Sequence, residues 1–404
     1  MTRDEYNFAN GVKPKRRGWL RVTLIAMASV VGLAVASLTG GYVYLTSTLS
    51  AAGIDVFKSD GNAFELPTAA EIDGPISMLL IGSDTREGQG STAYGPAGQE
   101  LADVIILIHV SEDRSNAVAV SFPRDLMIPV PECPNPDGGE PYPAKDLVQI
   151  NATMNTGGPA CTLIAVQALT GVEIPYLAMI DFKGVIAMSQ VIGGVDVCVA
   201  EKISDPKTNL YLESGEHTLI GDEALAFLRT RYGVGDGSDL SRISNQQVFL
   251  TSLVRKLKSE GVLSNPFKMF RVGTAALENM TLSKSLTNIG VMLGMAREVN
   301  QVDLDMITFL KLPVYDMDGV YAGRVALVPD RAEFLFAKIA NDEPLILAKA
   351  NPGQGAIVAP EDPDQEPEAE VTEGATESDA ISSGPEVLPD WVQGTKASVK
   401  SCSN

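Results

Sequence analysis

The sequence predicts an α/β layered fold behind one membrane-spanning helix, and three observations predict it. Short apolar runs rich in Ile, Leu and Val recur at strand length. Stretches with helical spacing of apolar residues lie between them. A single apolar run of membrane length precedes both.

That run is residues 20–45, LRVTLIAMASVVGLAVASLTGGYVYL, with Arg21 its only charge. A span needs about 20 apolar residues. KPKRR stands just before it at 13–17, and flanking Lys and Arg stay cytoplasmic. Residues 1–19 are therefore expected inside the cell, and everything after the run outside. Trp19, Tyr42 and Tyr44 fall where interfacial aromatics belong. The competing reading, a cleaved signal peptide, has an apolar core of about 7–15 residues, shorter than this one. Both readings export the folded part and place the chain at the cell membrane or beyond it.

A polar linker, 46–75, follows. ISMLLIGS (76–83), ADVIILIHV (102–110) and NAVAVSF (116–122) are too short for helices and bounded by Gly, Asp or Ser, so they read as buried strands. A helix over 162–169, a strand over 176–182, a helix over 182–192 and a strand over 195–200 come next. GDEALAFLRTR (221–231) has an acidic first turn and a basic last turn, as the helix dipole favours. Residues 242–258 form another helix, and helical patterns run to 299. A strand over 306–314 and a helix over 330–340 complete a domain over 76–345. Residues 346–404 turn to Pro, Glu, Gly, Ser and Thr. Such sequence buries too little apolar area to offset ordering entropy, so a disordered acidic tail ending in a Cys-containing segment is expected.

The formal net charge of -20 argues against a nucleic-acid partner. Much of it belongs to the tail, where 361–390 contains no Lys or Arg. Four cysteines in an exported chain are compatible with two disulfides. Cys133 with Cys161 is favoured because both sit in Pro/Gly-rich loop sequence, and Cys198 with Cys402 follows by elimination; four free thiols are the alternative. His109 and His217 are far apart and no CxxC is present, so a zinc cluster is discounted. His109 reads as a satisfied core or edge residue and His217 as a turn residue. No GxSxG supports a serine hydrolase.

Three clusters carry chemistry. Gly82-Ser83-Asp84-Thr85-Arg86 closes the first strand. Asp103 opens the second, and Pro123-Arg124-Asp125 closes the third. Leu228-Arg229-Thr230-Arg231-Tyr232 leads through GVGDGSD to Leu240-Ser241-Arg242, Gln246 and Gln247. Ligand crevices in α/β folds form outside the carboxyl ends of strands. Arginine presents a planar fork of donors that matches phosphate oxygens, and carboxylates hold Mg2+. Each residue also has a plainer reading. A strand-end Asp caps a turn. Arg229 and Arg231 complement a helix dipole. Arg242 with Asp239 makes a surface ion pair of little value. Arg-Thr-Arg feeding a Gly-rich loop and another Arg is less easily explained that way, and points to a phosphate ester with a divalent metal. The apolar residues of 162–169 and 243–257 either line a lipid tunnel or form ordinary core.

In this order, LLIGSDTREG, ADVIILIHVSEDRSNAVAVSFPRD, IPYLAMIDFKGVIAMSQVIGGVDV, GEHTLIGDEALAFLRTRYGVGDGSDLSRISNQQ and PDRAEFLFAKIANDEPL resemble the LytR-CpsA-Psr family of cell-wall glycopolymer ligases, over about residues 76 to 345. The membrane span matches as well, and the cysteine-containing loops and acidic tail are similar to actinobacterial members. The resemblance implies a three-layer α/β/α domain with a central mixed sheet and a hydrophobic lipid tunnel. It implies that Asp84 and Asp103 hold Mg2+ (or Mn2+). It implies that Arg86, Arg124, Arg229, Arg231 and Arg242 surround a pyrophosphate, with Gln246 assisting. The implied reaction is Mg-dependent transfer of a glycopolymer from a polyprenyl-pyrophosphate carrier to a peptidoglycan hydroxyl, with release of polyprenyl pyrophosphate. Two positions depart from the pattern. Leu101 stands where the family often has Arg, and Gln149 stands where a basic residue usually precedes the Ile-Asn pair. The stretch between Asp84 and Asp103 also looks long. Two rivals are a pyrophosphohydrolase with water as acceptor and a non-catalytic protein that binds lipid-linked glycans. A DNA-binding regulator fits poorly, because 19 residues before the span are too few for such a domain.

Overall fold

Alternating apolar runs build a seven-stranded mixed sheet. A computed structural model describes residues 72–84, 100–360 and 387–404. The sheet runs in the order β11 (Met280–Leu282), β6 (Tyr176–Ile180), β1 (Ile76–Ser83), β2 (Ala102–Val110), β3 (Ala117–Phe122), β12 (Ile307–Lys311) and β18 (Gly394–Lys396). β1 with β6 and β3 with β12 are parallel; the other neighbours are antiparallel. The expected membrane span, Arg86 and the acidic stretch 361–386 lie outside the described residues. Among the described residues no helix is long and apolar enough to cross a membrane.

The strands read as nearly continuous apolar runs because both faces of the sheet are covered. Leu79, Ile81, Ile105 and Leu107 point to one face, where they meet Leu163 and Val166 of α1 (Thr153–Thr170) and Leu335 and Ile339 of α7 (Pro329–Ala340). Met78, Leu80, Ile106 and Ala119 point to the other, toward α4 (Asp239–Ser259), α5 (Pro266–Asn279) and α6 (Ile289–Gln301). Fully burying one such side chain contributes about 1.5–3 kcal/mol.

A second sheet, in the order β10 (Gly215–Leu219), β7 (Val195–Val199), β19 (Ser401–Ser403) and β16 (Ala356–Val358), packs on α3 (Asp222–Arg229) and α4 through Phe227, Val248 and Phe249. α4 therefore serves both sheets. This explains why it buries Ser244, Asn245 and Gln247 along with its apolar residues. Asn245 is held internally, with Nδ2 donating to Phe227 O at 2.6 Å, whereas Gln247 Oε1 is buried without a hydrogen-bond partner. Lys311 Nζ donates to Ser244 Oγ at 2.5 Å, and burial pushes this lysine down to about 8. Four strand pairs complete the described architecture: β4 (Met127–Val130) with β5 (Lys145–Gln149), β8 (Ile203–Asp205) with β9 (Leu210–Leu212), β13 (Val314–Asp316) with β14 (Val325–Leu327), and β15 (Ile346–Leu347) with β17 (Val387–Leu388). α2 (Phe182–Ile192) follows β6.

Several expectations are corrected. Residues 346–360 and 387–404 are not a disordered tail. β18 extends the central sheet beyond β12, and β19 lies between β7 and β16. Composition weighs side chains, whereas a sheet edge recruits backbone donors and acceptors whatever the side chains are. The structure pairs Cys198 with Cys402 at this junction, and Cys133 with Cys161 elsewhere. α1 begins earlier than expected, with non-helical backbone at Gly157 and Gly158 just before Pro159. Its residues 162–169 pack in the core on the face opposite α4. The expected strand over 306–314 divides into β12 and β13 around Pro313, which lacks a backbone N–H. His217 lies in β10, not in a turn. α3 stops at Arg229, and extended backbone at Thr230 (φ -64°, ψ 142°) leaves Arg231 outside the helix.

Candidate functional site

The site begins where β1 and β2 part. Gly82 pairs with Val104 and Ser83 with Ala102, so Asp103 is the extra residue of a β-bulge. Bulges re-aim side chains. Asp84 closes the strand end: its N–H donates to Leu101 O at 3.2 Å, and its Oδ1 accepts from the Leu101 N–H at 2.9 Å. Leu101, the departure from the family pattern, thus holds Asp84 through its backbone. Arg124, just after β3, donates from Nη1 to Asp103 Oδ1 at 2.6 Å.

The second half comes from α3, α4 and the loop between them. The Arg229 guanidinium lies 4.3 Å from the centre of the Phe182 ring. Asp205, 1% exposed, fixes the next turn. Its Oδ2 accepts from Thr230 Oγ1 (2.8 Å), Arg231 N (3.1 Å) and Tyr232 N (3.2 Å). Burial alone would raise its pKa, but these hydrogen bonds outweigh burial and lower it. The loop then turns on glycine: Gly235 has φ +50°, and a Cβ there would lie 2.7 Å from Gly355 N. Asp236 Oδ1 accepts from Ser238 N at 2.9 Å and from Ser241 Oγ at 2.6 Å. Ser238 in turn caps α4. Asp239 and Arg242 are thereby set in its first turn.

Three arginines converge on Asp239. Its Oδ1 lies 2.6 Å from Arg242 Nη2, 2.9 Å from Arg231 Nη2 and 3.3 Å from Arg124 Nε. The Arg242 and Asp239 side chains are only 6% and 14% exposed. This is a buried ion pair and not the surface pair the sequence allowed. Arg242 Nη2 also donates to Asp103 O at 3.0 Å. Burial lowers the Arg242 pKa despite Asp239 and Asp103. Burial also acts on Arg124, but Asp103, Asp239 and Asp125 together outweigh it and raise that guanidinium. Among the described residues Arg124 Nε, Arg242 Nε and Asp239 Oδ2 are buried without a hydrogen-bond partner. Folded proteins seldom leave such groups unmet, so this concentration marks a place for a polar ligand.

Asp125 continues the network outward. Its Oδ1 accepts from Gln149 Nε2 at 2.5 Å and lies 3.4 Å from Arg324 Nη1, while Oδ2 lies 3.6 Å from Arg124 Nε. Gln246 Nε2 donates to Leu228 O at 3.0 Å and so braces the end of α3.

On the other side of the network is a cavity of about 270 Å3. Leu80, Val104 and Ile106 of the sheet form one wall, and Phe182 and Met188 of α2 with Leu253 of α4 form others. Asp103, Arg229, Arg242 and Gln246 also line it, so the apolar space opens onto the arginines. A wider cleft of about 580 Å3 between the C-terminal segments contains none of these residues.

The structure therefore brings Asp103, Arg124, Arg231 and Arg242 into one network, with Asp84 on the adjoining strand end and Arg229 and Gln246 at the cavity. Arg86 lies outside the described residues. The sequence reading missed the central place of Asp239, although it sits inside the GVGDGSD block. It also missed Asp205 and Arg324, which hairpins distant in sequence deliver without a local signal. Among the described residues no group of three or more His, Cys, Asp or Glu is able to hold a metal ion. Asp84 and Asp103 are a two-carboxylate set. That set suits Mg2+, which keeps waters and takes substrate phosphate oxygens, and does not suit a metal needing an all-protein cage.

Comparison with known proteins agrees with this architecture. The chain is 29% identical over 321 residues to the cell wall biosynthesis protein LcpA of Corynebacterium glutamicum, covering 74% of this chain but only 60% of that protein. It is 26% identical over 253 residues to the polyisoprenyl-teichoic acid–peptidoglycan teichoic acid transferase TagT of Bacillus subtilis, covering 61% of this chain and 73% of that one. The crystal structure of B. subtilis TagV shares the fold, with a TM-score of 0.53 at 21% identity over 67% of this chain and 98% of that chain. The sequence model of the LytR_cpsA_psr family matches residues 41–333, and the chain belongs to that family.

Proposed function

We propose that this protein transfers a glycopolymer from a polyprenyl-pyrophosphate carrier to peptidoglycan at the outer face of the cell membrane. One observation carries the reading: an apolar cavity opens onto Arg242, which is buried with an unmet Nε–H and shares Asp239 with Arg124 and Arg231. A lipid pyrophosphate is complementary to that pair of environments. Its chain gains about 0.8 kcal/mol for each buried methylene. Its phosphates receive charge-assisted hydrogen bonds from Arg124, Arg231 and Arg242, with Arg229 at the cavity mouth.

The carboxylates favour a phosphoryl route. Asp103, Asp125 and Asp239 all lie within ion-pair distance of arginine, so none stands free as an acid or nucleophile for opening a sugar–oxygen bond. The acceptor hydroxyl attacks the phosphorus on the glycan side. An oxygen–phosphorus bond forms as the bridging P–O–P bond breaks, and polyprenyl phosphate departs. The acceptor proton goes to the departing phosphate monoester or, above its second pKa of about 6, to solvent. This differs from the release of polyprenyl pyrophosphate expected from the sequence. The arginines stabilise charge as it moves onto the phosphate oxygens, which is where fixed donors act most strongly. Asp84 and Asp103 would hold Mg2+, which supplies further neutralisation of those oxygens. The span expected over 20–45 would keep the site near its lipid donor.

The test is a transfer assay with the full chain in micelles. The donors are polyprenyl pyrophosphates carrying different glycans, with label in the sugar and in the adjoining phosphate, and the acceptor is peptidoglycan strands. Both labels are expected on peptidoglycan, with loss of transfer in EDTA. Sugar label arriving without phosphate would replace the phosphoryl route with glycosyl transfer. Free glycan would point to hydrolysis, and binding without turnover of any donor would remove the enzyme reading.

A further inference from the structure

The network does not end at Arg124. The hairpin of β13 and β14 pairs Val314 with Leu327, Tyr315 with Ala326, and Asp316 with Val325. The hydrogen bond from Met317 N to Arg324 O at 2.9 Å carries the ladder one step further. Side chains alternate along strands. Val314, Val325 and Leu327 belong to the face that packs against the main core. Tyr315 and Arg324 share the opposite face as diagonal neighbours, about 7–8 Å apart by strand geometry. Both are open to solvent, the Tyr315 residue 53% and the Arg324 side chain 41% exposed.

This hairpin is fastened to the site. Val325 N donates to Asp125 O at 3.2 Å, and a β-bridge joins Leu126 to Val325. Arg324 is thereby held over Asp125, on the carboxylate oxygen that also accepts from Gln149. Asp103 lines the apolar cavity, whereas Asp125, Gln149, Arg324 and Tyr315 do not. Ion pairs run from Asp103 through Arg124 and Asp125 to Arg324. For a donor with its lipid in the cavity and its pyrophosphate at Arg124, this group lies on the side of Arg124 away from Asp103 and the cavity, where the glycan would leave.

We propose that Asp125, Gln149, Arg324 and Tyr315 form a saccharide subsite that grips the donor sugars next to the pyrophosphate. The inference rests on the donor reading given above. A sugar presents hydroxyls that both donate and accept, and a ring face of C–H groups. Asp125 and the Gln149 carbonyl accept, Arg324 donates, and Tyr315 offers an aromatic face. Gln149, neutral and bifunctional, suits hydroxyls better than the basic residue usual at its position. Arg324 supplies a cation from a different part of the chain.

The experiment measures equilibrium binding by the full chain of two probes: polyprenyl pyrophosphate alone, and the same lipid bearing an N-acetylglucosamine disaccharide. The wild type is expected to bind the sugar-bearing probe about tenfold more tightly. Arg324→Ala and Tyr315→Ala are expected to bring the ratio of the two affinities toward one, with Arg324→Lys between them. A ratio within each variant cancels any loss of folded protein. Equal ratios in wild type and variants, or no preference for the sugar-bearing probe in wild type, would overturn the subsite. Failure of the wild type to bind either probe would instead remove the donor reading on which it rests.

Discussion

The two sides of Arg124 are built on opposite chemistry. On one side, past Asp103, is a cavity walled by Leu80, Ile106, Phe182 and Leu253. On the other, past Asp125, are an amide, a guanidinium and an exposed tyrosine. Between them three arginines share one buried carboxylate. The contrast specifies a ligand apolar at one end, anionic in the middle and hydrogen-bonding at the other. Under the proposed function it would also divide the work, with area buried in the cavity governing affinity and charge stabilised at the arginines governing turnover.

Perturbing the middle has the largest expected effect. Arg231→Ala removes a partner of Asp239 whose side chain is 31% exposed, so the chain keeps its fold while single-turnover transfer falls by about two to three orders of magnitude. A loss of only a fewfold, with donor affinity unchanged, would move the reacting phosphate elsewhere. Filling the cavity comes next. Leu253→Trp is expected to weaken binding of a long-chain polyprenyl pyrophosphate by about tenfold, as lost methylene burial requires, and to leave a short prenyl pyrophosphate nearly unaffected. Equal effects on both would sink the division between the two sides. The third perturbation is indirect. Asp205→Asn loosens Thr230, Arg231 and Tyr232 and is expected to cost about 1–3 kcal/mol of stability. Because the folded-state pKa of Asp205 is lowered, its contribution is present above the unfolded value near 3.8 and is lost as pH falls through the folded value. Urea midpoints between about pH 3 and 5 should therefore fall less steeply with acid in the variant than in the wild type.

The sequence revealed the two regions unequally. β1 and β2 were legible because apolar runs of strand length are bounded by Gly, Asp or Ser, and α2 because a helical pattern follows directly on β6. β8, β9 and the C-terminal strands are two or three residues long and hold their places through backbone pairing, which composition does not register. The arginines were legible as types at sites. Their arrangement was not, because a Thr at the end of a helical pattern fits a further helical turn as well as the extended break observed at Thr230. Asp239 illustrates the same limit. Three residues before Arg242 in sequence, it reads as a surface ion pair, and only the tertiary fold sets it among three arginines. The cavity was hardest to foresee. Leu253 lines it and Val248 does not, yet both pack with the core under the second sheet and belong to one helical pattern.

The central claim is that one donor molecule occupies the cavity and the arginines together. The most direct measurement is the dissociation constant of bare polyprenyl pyrophosphates of increasing prenyl number, for the full chain, Leu253→Trp and Arg231→Ala. The account predicts that affinity rises with chain length in the wild type and, from a weaker baseline, in Arg231→Ala, and is flat in Leu253→Trp. Affinity independent of chain length in the wild type, or the same rise in Leu253→Trp, would contradict it.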